Sequence, residues 1–295
     1  MTPEDALLFE LPEPSREPPN KELKTLKYPV WTGSKAKLIQ RYLYYFVFIT
    51  RHGTYLDGFA GPQDSRHPDT WAAKLVLESE PRWLRHFHLF ELKPRKVRAL
   101  QELAASQPEQ KNRTIVVYEG DFNARVHEVL GTRPIGDNEA TFCLLDQRTF
   151  ECHWSTVEAL ARYRAGGLKL ELFYFMPQSW LSRAMHAIKD DMILRAWWGR
   201  DDYRNLLELS SHERAALVSR RFMDELGYKE AKPWPIFKSL KERRVMYHMV
   251  HATDHPDASA LMWRAYHHAV DPLEPMKQLE LELVAWGTPS VGNES

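Results

Sequence analysis

Residues 54–62, which read Thr-Tyr-Leu-Asp-Gly-Phe-Ala-Gly-Pro, join a short apolar run to a turn built of small residues. The run begins with a β-branched residue and stops at an Asp-Gly pair, as a buried strand does where it enters a ligand-binding loop of an α/β sheet. Glycines let the backbone turn sharply and approach a bound molecule, and an aspartate accepts hydrogen bonds from ammonium or hydroxyl donors. The candidate ligand-binding residues of this segment are Asp57, Gly58, Phe59, Gly61 and Pro62.

Apolar runs alternate with helical patterns along the first two thirds of the chain. A helix is predicted from about Ser34, where apolar residues recur at helical spacing. The predicted strands lie near 54–57, 86–91, 114–118, 140–146 and 169–176, and the predicted helices near 70–79, 94–106, 122–130 and 153–165. This alternation implies a mostly parallel sheet with helices on both faces, and ligands of such sheets bind beyond the carboxyl ends of the strands.

The last third of the chain has a different pattern. It is helical to about residue 230, with Ser210 and Glu213 at capping-box spacing. Residues 234–240 and 245–253 predict two antiparallel strands joined by a charged turn at 241–244, and a helix follows near 257–269. We therefore predict an α/β, Rossmann-like fold with a seven-stranded, mostly parallel sheet. Its predicted parts are a flexible Pro/Glu-rich tail at 1–29, a Rossmann-like core at 30–176, a helical insertion at 177–230, a hairpin and helix completing the sheet at 231–285, and a loose tail at 286–295.

Charge and cysteine content narrow the classes of partner. Forty basic residues balance forty acidic ones, so any contact with nucleic acid must come from a local patch, such as the predicted turn at 241–244. The two cysteines, Cys143 and Cys152, make no disulfide framework, which favours the cytoplasm. The apolar run at 43–49 is too short to span a bilayer and no signal peptide is predicted, so no membrane partner is expected.

Acidic residues stand where the predicted strands end. Asp57 closes the first strand, Glu91 closes the second, Asp121 follows the third and Asp146 closes the fourth. They are expected to share one edge of the sheet, where a ligand with a cationic amino acid, a ribose and an adenine can use the first three. Asp121 is then placed to accept from the adenine amino group, and Phe122 to pack on the ring. The alternative is that each acid only caps the helix that follows it.

The chain resembles the three-Cys-motif partner proteins (TcmP), a family with the fold of class I S-adenosylmethionine (SAM) methyltransferases. The resemblance covers about residues 30–270 and rests on Trp31-Thr32-x-x-Lys35 with Tyr42-Leu43, Tyr55 to Pro62, Phe90-Glu91, Gly120 to Asn123, Leu144 to Asp146, and Tyr247 to Thr253. It implies SAM as cofactor, with Asp57 and Gly61 at the methionine moiety, Glu91 at the ribose and Asp121 at the adenine. It also implies a three-cysteine-motif protein as partner, since the family is named for such a protein encoded nearby.

The loop after the fourth strand carries the candidate catalytic residues. In related methyltransferases of exocyclic amines, an aspartate of this loop holds the target nitrogen and an aromatic ring stacks on the base. The resemblance implies that Asp146 orients the amine and that Phe150 or Trp154 stacks on the base. This chain departs from the family at two places: it has Gly61-Pro62-Gln63 where the family tends toward Gly-Pro-Gly, and Asp146-Gln147-Arg148 where the family has an Asp-Pro-x-Gly-like stretch.

Two functional hypotheses follow. The first is a SAM-dependent methyltransferase that acts on a nucleic-acid base amine. The second is a catalytically degenerate relative that serves as a binding subunit for another protein. A third reading, a magnesium-dependent nuclease at the acidic edge, has only the clustered oxygens in its favour. No metal site is expected at His248, His251 and His255, because residues 248 and 251 of a strand face opposite sides.

Overall fold

The computed structural model describes residues 35–63, 67–178, 181–238 and 245–268. Its centre is a seven-stranded mixed sheet in the order β3-β2-β1-β4-β5-β7-β6. The strands are β1 Thr54–Asp57, β2 His86–Glu91, β3 Thr114–Glu119, β4 Thr141–Leu145, β5 Glu171–Pro177, β6 Glu230–Phe237 and β7 Val245–Thr253. β1 to β5 pair in parallel, whereas β7 is antiparallel to both β5 and β6. The predicted α/β architecture, with a mostly parallel sheet and an antiparallel hairpin, is confirmed.

Helices cover both faces of the sheet. They are α1 Lys35–Thr50, α2 Ala72–Leu77, α3 Pro94–Ala105, α4 Phe122–Gly131, α5 Trp154–Ala161, α6 Leu181–Ala187, α7 Asp191–Trp198, α8 Ser211–Asp224 and α9 Ala258–His268, with short 3-10 helices at Pro68–Thr70 and Asp201–Leu207. Between β5 and β6 the chain is helical, as the sequence predicts. The capping box is present as well, because Ser210 Oγ accepts from the Glu213 N–H at 3.3 Å and Glu213 Oε2 accepts from the Ser210 N–H at 2.7 Å.

Two hydrophobic clusters, one on each face, hold the helices to the sheet. Side chains from α1, α2, α3 and α9 form the first cluster, with Tyr42, Phe87 and Phe173 fully buried in it. Side chains from α4 to α8 form the second, together with Cys143 and the alternate residues of β5. Both cysteines are buried free thiols. Polar side chains therefore collect at the two ends of the strands, outside both clusters.

Strand β6 begins earlier than the sequence indicates. The prediction placed it at 234–240, whereas the strand runs from Glu230 to Phe237. Pro233 and Pro235 lie within it, and prolines count against a strand because they lack an N–H donor. β6 is the last strand of the sheet order and pairs only with β7. Residues two apart direct their backbone nitrogens to the same side, so both prolines can face away from β7 at no cost in sheet hydrogen bonds.

Several predictions fall on parts of the chain beyond this description. The tails at 1–29 and 286–295 and the charged turn at 241–244 lie outside the described residues. Across the four described ranges, no helix combines the length and the apolar composition needed to cross a bilayer.

Candidate functional site

The strand order reverses between β1 and β4, which creates a crevice at the carboxyl ends of these two strands. In open α/β sheets this reversal is where ligands bind. Asp57 ends β1, Asp146 directly follows β4, and Glu91 ends the neighbouring β2. All three carboxylates are buried, with exposed fractions of 2%, 8% and 8%. The structure therefore brings together three of the four predicted strand-end acids and buries them.

Asp57 is held by its own strand and loop. Its carboxylate accepts from the Tyr55 hydroxyl at 2.8 Å and from the Phe59 N–H at 3.0 Å. Burial raises the pKa of Asp57 to about 7; the charges of Asp146 and Glu91 add to the rise, and the two hydrogen bonds oppose it. Asp57 is therefore a buried acid that titrates near neutral pH.

Asp146 forms a buried ion pair that the sequence reasoning missed. Its Oδ2 accepts from the ammonium of Lys35, the first residue of α1, and from the Gln63 side-chain amide at 3.2 Å. Burial by itself disfavours the Lys35 ammonium, but the charges and hydrogen bonds of Asp146 and Tyr247 outweigh it and raise the pKa of Lys35. The other oxygen, Asp146 Oδ1, is buried and has no hydrogen-bond partner among the described residues.

The sequence does contain a signal for Lys35. Lys35, Leu38, Ile39 and Tyr42 follow the spacing of one helix face, and all four are buried. A lysine on the buried face of an amphipathic helix requires an acidic partner. The partner lies 111 residues away in the chain, so the sequence indicates that an acid is needed but not which one.

Two polar contacts cross the crevice from the loop after β1 to the loop after β4. Gln63 donates its side-chain amide to Asp146. Arg148 donates from its guanidinium to the backbone carbonyl of Gln63 at 3.2 Å. Gln63 and Arg148 belong to the two stretches, at Gln63 and at Gln147-Arg148, where the sequence departs from the family that it resembles, and the structure joins these stretches.

Glu91 lies against the glycine turn. Its Oε1 accepts from the Lys93 N–H at 2.9 Å, and its Oε2 is 4.0 Å from the Lys96 ammonium. A Cβ placed on Gly61 would be 2.1 Å from Glu91 Oε2, so only a glycine permits this approach. The half-buried Pro62 follows directly. The close approach that the sequence assigns to a ligand is here made by Glu91.

Asp121 is exposed and caps helix α4. Its side chain accepts from the Asn123 N–H at 3.2 Å and from the Asn123 side-chain amide at 3.0 Å. Asp121 thus makes the helix cap that was the alternative for each strand-end acid. Phe122 is buried beside it and packs on Phe59 and on Phe90.

Gly58 is fixed by the same ring. A Cβ at Gly58 would lie 2.7 Å from a ring carbon of Phe122, so the ring rests on the bare backbone of the loop. Gly58 and Gly61 thus both make a close approach, each to a side chain of this chain.

The loop after β4 is anchored in the interior by Gln147. Its side chain accepts from the Cys152 N–H at 2.7 Å and donates to the Phe175 carbonyl at 3.2 Å. Phe150 is buried with its ring 4.7 Å from that of Trp197. The loop therefore turns inward from the strand end instead of presenting Phe150 at the crevice.

Trp154 is also buried, and other side chains occupy its faces. The Arg221 guanidinium lies 3.8 Å from its ring centroid, the Phe222 ring meets it edge-on, and a Cβ at Gly199 would be 2.7 Å from it. A stacking role for Phe150 or Trp154 requires a free ring face, and both rings are enclosed by core residues. Of the predicted catalytic set, only Asp146 lies at the crevice.

No protein-family model matches this chain, and no curated protein matches it. Within the described ranges, no group of three or more histidine, cysteine or acidic side chains is arranged to hold a metal ion.

Proposed function

We propose that this chain is a catalytically degenerate relative of the class I methyltransferases that serves as a binding subunit for another protein. The observation that carries the proposal is the closure of the crevice: Gln63 and Arg148 cross it, and Lys35 occupies Asp146. These contacts bridge the two loops that would hold SAM, and they engage Oδ2 of Asp146, one of its two acceptors for a target amine. We infer from these contacts that the crevice does not bind SAM in the wild-type chain.

The assignment to this class rests on the sheet and on the resemblance together. An open α/β sheet that ends in an antiparallel hairpin is what the resemblance to TcmP proteins implies, and we assign a Rossmann-like, class I methyltransferase fold on that basis. The resemblance also supplies the partner, a three-cysteine-motif protein. We further propose a cytoplasmic location, because both cysteines are free thiols.

Helix α7 supports a role in binding a protein. Its neighbouring residues Met192 and Ile193 are apolar, and 70% and 45% of their surfaces are exposed. Adjacent exposed apolar side chains on one helix are a feature of protein contact surfaces. We place the contact with the partner on this part of the helical stretch between β5 and β6.

A SAM-dependent methyltransferase acting on a base amine is the competing proposal. It is favoured by the burial of Asp57, Glu91 and Asp146 at one edge and by the unpartnered oxygen of Asp146. An unpartnered buried carboxylate oxygen is costly and suits a donor group of a ligand. The two proposals differ in whether the crevice binds SAM.

Titration of the full chain with SAM separates them. We expect no heat of binding by calorimetry up to millimolar SAM, because binding has to break the Gln63 and Arg148 contacts. The matched variant carries Gln63→Gly and Arg148→Ala, which removes both crossings and leaves the core intact. Binding of SAM to the wild-type chain overturns the proposal, whereas binding to the double variant alone identifies the crossings as the block.

Co-elution tests the binding role itself. Co-expressed with a three-cysteine-motif protein of the kind that the resemblance implies, the full chain is expected to elute with that protein in gel filtration. Met192→Lys is expected to weaken the complex by about tenfold or more, since it places a charge in an apolar contact. Val116→Lys is the control, because Val116 is a 38% exposed apolar residue of β3, which lies at the opposite end of the strand order from β6. Separate elution of the two wild-type proteins removes the assigned partner.

A further inference from the structure

A second cavity lies at the opposite edge of the sheet from the closed crevice. Its volume is about 450 Å³, within the range of small-molecule sites. It is lined by Thr141 and Glu171, the first residues of β4 and β5, and by Thr253, the last residue of β7. The carboxyl half of α1 forms one wall. Because β4 and β5 begin here, the cavity is at their amino ends, far from Asp57 and Asp146.

Glu171 is the buried acceptor of this cavity, with 7% of its surface exposed. Its Oε1 accepts from the Tyr42 hydroxyl and from His251 Nε2 at 2.9 Å, and its Oε2 accepts from the Thr253 hydroxyl at 3.3 Å. His251 Nδ1 has no partner among the described residues. Three side-chain donors thus fix the position of the Glu171 carboxylate.

The basic residues of the lining, Arg164 and Lys169, already have partners within the chain. Arg164 donates to the carbonyls of Leu168, Gly136 and Glu139 and to the Thr141 hydroxyl. Lys169 donates to the Gly227 carbonyl and to Asp254. The charged lining residues other than histidines are Asp137, Arg164, Lys169, Glu171 and Asp254, which leaves an excess of one negative charge. A guest that carries a positive charge is therefore favoured.

The rest of the lining is apolar. Phe46, Ile49, Leu168 and Leu261 contribute side chains to it, and Ile49 and Leu168 are 37% and 43% exposed. Exposed apolar residues that line a concave surface suit the hydrocarbon body of a guest. The cavity thus combines one hydrogen-bond acceptor, the Glu171 carboxylate, with an apolar wall.

We propose that this cavity is a binding site for a small organic amine, whose ammonium donates to Glu171 and whose apolar body packs on Phe46 and Leu168. A carboxylate only accepts hydrogen bonds, so the guest has to donate, and a cationic donor gains more than a neutral one. The site is independent of the crevice between β1 and β4 and therefore of the proposed binding role. Loss of either function leaves the other testable.

The experiment uses 2-phenylethylamine as the probe and the neutral 2-phenylethanol as its matched analogue, each added to the full chain at neutral pH. Saturation-transfer NMR is expected to show the amine bound in the millimolar range, as for a fragment of this size, and about tenfold more tightly than the alcohol. The two probes share their ring and chain length, so the difference reports the charged head alone.

Three variants locate the site. Glu171→Gln is expected to abolish the preference for the amine, with its fold checked by thermal unfolding. Leu168→Lys, at an exposed position, is expected to weaken binding of the amine by charge repulsion. This variant tests the site even if Glu171→Gln fails to fold. Val116→Lys, a similarly exposed position on β3, is expected to leave binding unchanged. Equal binding of amine and alcohol, no binding of either, or equal effects of the two lysine variants overturns the proposal.

Discussion

Replacement of Lys35 by methionine is expected to lower the free energy of unfolding by about 3–5 kcal/mol, because it leaves the buried Asp146 without its cation. Lys35 and Asp146 have side chains only 7% and 9% exposed. The remaining donor to Asp146, the Gln63 amide, is uncharged. Urea unfolding at neutral pH measures the loss. Lys37→Met is the matched control, since Lys37 is exposed on the same helix, and it is expected to change stability by less than about 0.5 kcal/mol.

The double variant Lys35→Met with Asp146→Leu distinguishes an ion pair from two separate effects. Removal of both charges is expected to recover most of the stability, since an apolar pair of similar volume is often as stable as a buried ion pair. The two single losses then exceed the double loss by several kcal/mol. If the two losses add, Lys35 and Asp146 do not form a pair in solution, and Asp146 is free to bind a ligand. That outcome favours the methyltransferase proposal.

The sheet could be read from the sequence because each strand carries its own signal. The apolar runs at 86–91 and 171–177 are short, buried on both faces and separated by helical patterns, so local information suffices to place them. The hairpin of β6 and β7 could be read for the same reason. The start of β6 could not, because the tolerance of its prolines depends on the strand being an edge, which is a property of the whole sheet.

The sequence also predicts where the candidate site lies in the sheet, but it does not predict which residues its acids contact. Strand ends place Asp57, Glu91 and Asp146 at one edge by topology alone. What each acid contacts is set by residues far away in the chain, as the pairing of Asp146 with Lys35 shows. The sequence does not predict the cavity at the amino ends of β4 and β5, for a related reason. Glu171 opens a strand, whereas ligand-binding acids of such sheets are expected where the strands close.

The buried rings of Phe150 and Trp154 show what a sequence motif cannot predict. Phe150 and Trp154 follow the fourth strand, but not at the spacing that the resemblance implies for a stacking residue, and the sequence alone cannot tell a stacking ring from a core ring. The helical stretch after β5 decides the matter, since Trp197 packs on Phe150 and Phe222 packs on Trp154. The closed crevice and the inward loop therefore have one origin: side chains that could meet a ligand have been engaged by the chain itself.

Asp57→Asn is expected to stabilise the protein above neutral pH by about 2–4 kcal/mol relative to its effect near pH 5. Burial raises the pKa of Asp57 from 3.8 to about 7. The folded chain therefore binds more protons than the unfolded chain between these pH values. Its free energy of unfolding then falls as the pH rises from about 4 through about 7. Asparagine keeps the shape and the acceptor oxygen but never ionises, so the variant escapes this loss.

Urea unfolding of both proteins at about pH 5 and about pH 8.5 measures the effect as a difference of differences, which cancels the other titrating groups. Asp121→Asn is the control for removing one negative charge, because Asp121 is an exposed acid at the same edge. Its effect is expected to be equally small at both pH values. A similar effect of Asp57→Asn at both pH values contradicts the raised pKa.

The same variant bears on why a buried acid is present in a closed crevice. An aspartate that destabilises the folded chain at neutral pH is understandable if a cationic or donor group binds it and releases its proton. In the degenerate subunit that we propose, no such ligand binds, and Asp57→Asn is expected to gain stability while co-elution with the three-cysteine protein is kept. If the variant gains stability but loses the partner, then Asp57 serves the complex directly, and the crevice opens when the partner binds.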